Sequence, residues 1–229
     1  DFHIGEVKNK QDLMAFIRFP WEIYKGDRYW VPPLIKDQLS KFSPNHPFRS
    51  HSEMILLMAN KGGKPVGRIA GIIDHHYIKF HQENVGFFGF FESIADAEVA
   101  TTLLSNVGKW LKERGMEKMI GPMNPSTNDE CGLLVEGFDS SPCLMMPYNP
   151  CYYPSLLEGY GLKKAIDLYA YWLEESSFLD DRLFRITERL IKKDPQLRVR
   201  PILLRHLDEE LKIIKEIYND AWSKNWGFV

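Results

Sequence analysis

Cysteine is scarce in this chain. Cys131, Cys143 and Cys151 are the only three in 229 residues, and they crowd into one stretch. An odd, clustered set is unlike the even, distributed framework of a disulfide-stapled secreted domain, so reduced thiols in a cytoplasm are expected. Long hydrophobic runs are missing as well. No apolar stretch approaches the roughly 18 residues that a membrane-spanning helix needs, and no membrane partner is expected. A dominant charge is also absent. Lys and Arg number 29 against 31 Asp and Glu, a formal net charge of −2, so no overall field draws in nucleic acid. What is present is the mix of a folded domain, 44% hydrophobic and 26% charged. Aromatics reach 13%, enough both for a core and for walling a ligand cleft.

Periodicity predicts a short strand over Phe2–Val7 and a helix from Gln11 to Tyr24, stopped by the prolines of Tyr29–Pro33. A polar loop through Asn45, His46, Pro47 and His51 follows. Two β-rich runs, Met54–Ala59 and Val66–Ile73, flank a glycine-containing turn and read as a hairpin. Val85–Glu92 carries Phe87, Phe88, Phe90 and Phe91, interrupted by Gly86 and Gly89. Apolar residues on both faces predict a central strand, and the internal glycines predict a bulge or a close neighbour.

Asp96 opens the clearest helix, with Val99, Leu103, Val107, Trp110 and Leu111 at helical spacing and Gly115 as its stop. A short strand, Lys118–Met123, comes next, so strand, helix and strand read as a right-handed parallel crossover. Asn124–Pro150 is too polar and too rich in Pro and Gly for a regular element, and loops of that length tend to be functional. A helix over Tyr153–Tyr160 ends at Gly161, and a strand over Ala165–Leu173 is expected. Phe178–Asp194 reads as an amphipathic helix with Leu179, Leu183, Ile186 and Leu190 inward, opened by Asp180 and Asp181. A strand-like Val199–Leu204 then precedes a helix over Asp208–Trp222. Residues 11–33 and 208–229 each combine an amphipathic helix, an Ile-Tyr pair, a polar turn and a tryptophan, which reads as a weak internal repeat. Such a repeat implies a second unit after this one; the other partner expected is a second copy of the chain in a homo-oligomer.

Two stretches carry a family resemblance. VGFFGFFESIADAEVATTLLSNVGKWLKERGMEKMIGP, residues 85–122, and YYPSLLEGYGLKKAIDLYAYWL, residues 152–173, resemble the central and late segments of the GNAT superfamily of acyl-CoA N-acyltransferases. The insert GPMNPSTNDECGLLVEGFD, residues 121–139, resembles a subgroup of larger bacterial proteins built from two such units. The resemblance implies an α/β fold of α+β type, with a mixed, mostly antiparallel central sheet, a β-α-β crossover and flanking helices. It implies a domain over 1–177, a connecting helix over 178–197 and the start of a second unit over 198–229.

The activity implied is acyl transfer from acetyl-CoA or another acyl-CoA to a small-molecule amine acceptor. Backbone amides at a helix start would cradle the pyrophosphate, and a bulged strand would hydrogen-bond the pantetheine. On this chain the cofactor positions are Phe91, Glu92, Ser93, Ile94, Ala100 and Thr101. Of the expected pyrophosphate-loop residues only Ala100 matches. Ala95 stands in the place of a cation, and Glu98 places a negative charge in the helix's first turn. The alternative is therefore a catalytically degenerate module that binds a small molecule or a partner domain.

Glu92, where the aromatic strand ends, is the expected general base, with Asp129 and Glu130 of the insert as further carboxylates. Tyr153, two helical turns before Gly161, is the expected acid. Asn124, Thr127, Asn128, Tyr148, Asn149 and Tyr152 are candidate substrate contacts, because polar groups and rings after a strand's carboxyl end lie where α/β folds bind ligands. Cys131 has acidic neighbours, which disfavour a thiolate nucleophile. His75, His76 and His81 lack metal-ligand spacing, so no metal is expected.

Overall fold

The computed structural model describes residues 2–174, 181–194, 196 and 200–229. Asp1–Ile166 together with Gly227–Val229 form one compact unit, and Asp167–Trp226 form a second.

The first unit is built on a five-stranded sheet in the order β1-β2-β3-β4-β5. Strand β1 (Phe2–Glu6), β2 (Ser52–Lys61), β3 (Lys64–Asp74) and β4 (Val85–Ser93) pair antiparallel in succession. The β2–β3 hairpin turns through Gly62 and Gly63, both at positive φ, as the sequence predicts. Helix α5 (Ala97–Lys112) then carries the chain to β5 (Lys118–Ile120), which lies parallel to Val85–Phe87. This is the predicted crossover, and with it the sheet is mixed, mostly antiparallel and flanked by helices.

The two faces of the sheet are covered differently. Val99, Leu103, Leu104, Val107 and Leu111 of α5 pack with Tyr153 and Leu157 of α6 (Tyr153–Tyr160) on Ile69, Ile73, Phe88 and Phe91. On the other face Phe16 of α1 (Lys10–Arg18) and Phe19 cover Ala70, Ile72, Phe87 and Phe90. At the end of α1, Phe19 leads into Pro20 of α2 (Pro20–Ile23), so the expected single helix is two short ones. A proline ring clashes with the carbonyl four residues back and has no N–H to continue the ladder.

The expected polar loop contains α3 (Ile35–Lys41) and a 3-10 turn over Pro47–Ser50, and α4 (His75–His81) follows β3. Asp74 caps α4 through the amides of His76 and Tyr77, a start signal hidden at the end of an apolar strand. Gly227–Val229 returns to this unit. Thr127 Oγ1 donates to the Gly227 carbonyl at 2.6 Å, and His81 lies 2.8 Å from that of Phe228.

Ala165–Leu173, expected as a strand, pairs with no other strand among the described residues. Strands persist through a neighbour's hydrogen bonds, and this segment leaves Tyr169, Tyr171 and Trp172 exposed instead. In the second unit α7 spans Asp181–Lys193 and α8 spans Leu207–Trp222, close to the predicted helices. Phe178, Leu179, Asp180, Arg198 and Val199 lie outside the described residues, as does the side chain of Leu183. Ile186 and Leu190, expected to point inward, are exposed, as are Phe184 and Ile191 beside them. Amphipathic spacing fixes a stripe on a helix but not what covers it.

Candidate functional site

The site begins with a fault in β4. Arg68 of β3 faces Glu92 while Ala70 faces Gly89, so β4 holds one residue more than β3 between these pairs. The extra residue is a bulge at Phe90, whose φ of 50° is in the left-handed region. Beside it the glycines permit a close approach: a Cβ at Gly89 would collide with the Met123 carbonyl oxygen, and one at Gly121 with that of Phe88. Residues 121–124 therefore run hard against β4 beyond the β5 pairing. Asn124 Oδ1 closes this contact by accepting from the Phe90 amide at 2.6 Å. The neighbouring chain leaves only past Asn124, the last residue of β6 (Met123–Asn124), which pairs with β7 (Glu130–Cys131).

Past the bulge the side chain of Glu92 enters a largely buried polar cluster. Tyr153 donates its hydroxyl to Glu92 Oε2 at 2.6 Å while accepting from the Ser93 amide at 2.9 Å. The Tyr24 hydroxyl lies 3.1 Å from the same Oε2 and 3.2 Å from the Tyr148 carbonyl, so its one proton has two acceptors in reach. Arg68 Nη2 is 3.6 Å from Glu92 Oε1, and Arg68 Nη1 donates to the Phe16 carbonyl at 2.7 Å. Arg68 Nε is buried and has no hydrogen-bond partner. The Glu92 side chain still reaches solvent, at 12% exposure. Burial raises its pKa above the usual carboxylate value, against the opposing pull of Arg68 and then the Tyr153 and Tyr24 hydroxyls. Burial and the Glu92 charge push Tyr24 and Tyr153 far up and Tyr152 to about 12, so all three hydroxyls keep their protons.

Around this cluster stands an aromatic wall. Tyr24 stacks on Trp30 at 4.8 Å, Trp30 meets Trp21 edge-on at 5.2 Å, and Tyr148 lies 5.9 Å from Tyr24. Asp27 accepts from the Tyr148 hydroxyl at 2.8 Å and from the amides of Tyr29 and Trp30, which ties the loop after α2 to the loop before α6.

The sequence candidates separate into groups. Glu92 and Tyr153 come together, and Tyr148 and Tyr152 stand beside them. Glu130 sits on β7, near enough for its charge to act on Arg68. Asp129 does not join: it pairs with Lys41 at 3.5 Å and accepts from Ser126 at 2.8 Å. The Asn149 side chain bonds Leu134 N, Leu134 O and Pro150 O, Asn124 holds the bulge, Thr127 holds Gly227, and Asn128 is exposed. These four are staples of the fold or lie at its surface, because Asn and Thr side chains readily satisfy nearby backbone. Burial and Asp129 raise the Cys131 thiol, which suits no nucleophile. Arg68 and Tyr24 escape a reading from sequence. The signal for Arg68 was a lone charge in the apolar run VGRIAGII; Tyr24 gave none.

Ser93, Ile94 and Ala100, three of the cofactor positions implied by the resemblance, already spend their backbone groups within the chain. On the free side of β4 the Ser93 amide is bonded to Tyr153, its carbonyl accepts from Tyr152 at 2.8 Å, and Phe90 N belongs to Asn124. At the start of α5 the Glu98 and Val99 amides bond the Asp96 carboxylate, and Ala100 N bonds the Asp96 carbonyl. Glu98 follows with a second negative charge. Thr101 is exposed one position beyond. A helix start that already holds its own carboxylate offers a pyrophosphate repulsion rather than free donors.

Strand order, crossover and bulged central strand give the mixed, mostly antiparallel, helix-flanked sheet that the resemblance implies. No family model matches the chain. It is 36% identical over 222 residues to Protein YghO of Escherichia coli (strain K12), covering 96% of this chain and 56% of that protein. It is 34% identical over 232 residues to the bacterial ceramide synthase of Caulobacter vibrioides (strain NA1000 / CB15N), covering 100% of this chain and 59% of that one. The chain thus spans little more than half the length of these relatives. Solved structures similar to it include an aminoglycoside N-acetyltransferase with CoA, at 15% identity and a TM-score of 0.44 over 76% of this chain and 95% of that one. A Trypanosoma brucei acetyltransferase matches at 13% identity and a TM-score of 0.44, over 76% of this chain and 100% of that one.

Proposed function

We propose that this domain belongs to the GNAT superfamily and serves the N-acylation of a long-chain amine, with Glu92 as the group that takes the amine proton. The overall change is an acyl thioester and an amine giving an amide and a thiol. The observation that carries the reading is Glu92 itself, a carboxylate that reaches solvent yet is held by Tyr24, Tyr153 and Arg68. Its raised proton affinity suits a proton acceptor better than an ordinary surface carboxylate would. An ammonium ion arriving there would meet one negative charge and an aromatic wall, both favourable to a cation.

Two observations support a long-chain acceptor. A ceramide is the fatty amide of a long-chain amino alcohol, and one relative is named for its synthesis. The segments beside the aromatic wall also expose apolar side chains: Val31 and Leu34 just after Trp30, and Leu144, Met145 and Met146 just before Tyr148. Leu144 is 91% exposed. Three unpaired cysteines agree with a cytoplasmic setting.

The test is amide formation from a fatty acyl thioester and a long-chain amine, followed by mass spectrometry in the protein at its natural length. Glu92→Gln should lower kcat about 100-fold or more, the usual loss on removing a general base. Unchanged turnover in that variant would end the assignment. The degenerate-module reading is favoured by one observation, the carboxylates at the start of α5. It expects amine binding without turnover in the same assay.

A further inference from the structure

We infer that this domain is the acceptor half of the acyl transfer, and that the donor's thioester arm does not lie along its central strand. The inference rests on the function proposed above and concerns which substrate the domain holds.

Backbone groups at Phe90, Ser93 and Ile94, which an extended amide-bearing arm would meet, are already paired. Between Phe90 and Ile94, the Phe90 amide bonds Asn124, the Ser93 amide and carbonyl bond Tyr153 and Tyr152, and the Ile94 amide bonds Val66. The Ile94 carbonyl takes the Ser93 hydroxyl at 2.9 Å and the Asp96 amide at 2.7 Å. Two adjacent tyrosines thus do on the inside what a ligand's amide would do from outside: one accepts, the other donates. They are not loosely placed. Tyr153 is 1% exposed, and its ring meets Phe91 edge-on at 5.2 Å and Tyr152 at 5.2 Å. Removing Tyr153 from the Ser93 amide would also strip Glu92 of its shortest hydrogen bond, since one hydroxyl serves both. The same clasp that closes the edge builds the base.

The second half of a donor site fails independently. The first turn of α5 holds Asp96 on its own amides and adds Glu98, while Ala95 supplies no cation. At both ends of a nucleotide-thioester site the chain thus occupies donors that a ligand would use. An acceptor with one positive charge and an apolar tail matches what remains: Glu92, the Tyr24–Trp30–Tyr148 wall and the exposed apolar residues next to it. In this scheme the donor is held by another part of the assembled enzyme and presents its carbonyl to the amine.

Two titrations of the 229-residue chain test this, one with 2-amino-1-dodecanol and one with dodecyl-CoA thioether, which cannot react. Calorimetry should show the amino alcohol binding, weakened ten-fold or more by Glu92→Gln, and no heat with the thioether at millimolar concentration. Hydrogen exchange supplies a readout independent of either ligand. The Ser93 amide should be protected in the free chain and exchange at least ten-fold faster in Tyr153→Phe. Micromolar binding of the thioether, with the Ser93 amide changing environment, would overturn the inference and leave the acyltransferase reading standing. Failure of both ligands to bind would remove that reading, and the inference with it.

Discussion

Glu92 is pulled in two directions, and pH separates them. Burial favours its proton, while Arg68 and the two tyrosine hydroxyls favour its charge; burial has the larger effect, so its folded pKa is raised. A raised folded pKa adds stability that is complete below the unfolded value, near 4.3, and lost as pH climbs through the folded value. The wild type should therefore lose stability relative to Glu92→Gln as pH rises from about 4.3 through that higher value. Urea unfolding of both proteins from pH 4 to 8 checks this, and a constant difference would mean that burial does not dominate. At Gly89 the constraint is steric. Gly89→Ala should destabilise by about 2–3 kcal/mol, the scale of overpacking against a backbone that cannot give way, read by chemical denaturation. The sequence marked Gly89 as a close approach, because a glycine amid phenylalanines has few other reasons to be there. It marked Glu92 as the candidate base at a strand end, without its partners. That Glu92 would meet Tyr24, 68 positions away, is a fact of tertiary packing that no local pattern encodes.

Elements were legible wherever one signal agreed with another. Asp96 at the start, helical spacing from Val99 to Leu111 and Gly115 after the end placed α5, whose last helical residue is Lys112, and β-rich runs about a glycine turn placed the hairpin. Helices α3 and α4 were missed because each is seven residues long, too short for a 3.6-residue period to stand out. The strand expected over Ala165–Leu173 continued the family resemblance of residues 152–173, and a local likeness does not supply a neighbour to pair with. The cap of α5 is also where structure and resemblance diverge. Asp96→Ala frees the amides of Glu98 and Val99 and should cost about 1 kcal/mol, seen as a fall in Tm of a few degrees. The same variant should still show no heat with dodecyl-CoA thioether, since the Ser93 edge stays closed by Tyr152 and Tyr153.

At the scale of the molecule, the question is why a chain with so balanced a charge leaves large apolar side chains in water on the loop that leads to its aromatic wall. Scattered apolar exposure is ordinary, but Leu144, Met145 and Met146 are consecutive, and their loop is fastened to the aromatic wall through Tyr148 and Asp27. A fold that needed only a small polar amine would gain nothing from them. An acceptor with a long tail would: each methylene moved from water onto an apolar surface contributes about 0.8 kcal/mol when fully buried, and a fraction of that on an open rim. Replacing Leu144 and Met146 together by aspartate should therefore raise KM for a C12 or longer amine by ten-fold or more while leaving KM for a C4 amine unchanged. Because both side chains are exposed, unfolding free energy should move by no more than about 0.5 kcal/mol, which separates a binding effect from a folding one. An equal rise in KM for short and long amines would mean that the loop acts on the reacting group rather than the tail. In that case the case for a lipid-like acceptor would rest on the named relative alone.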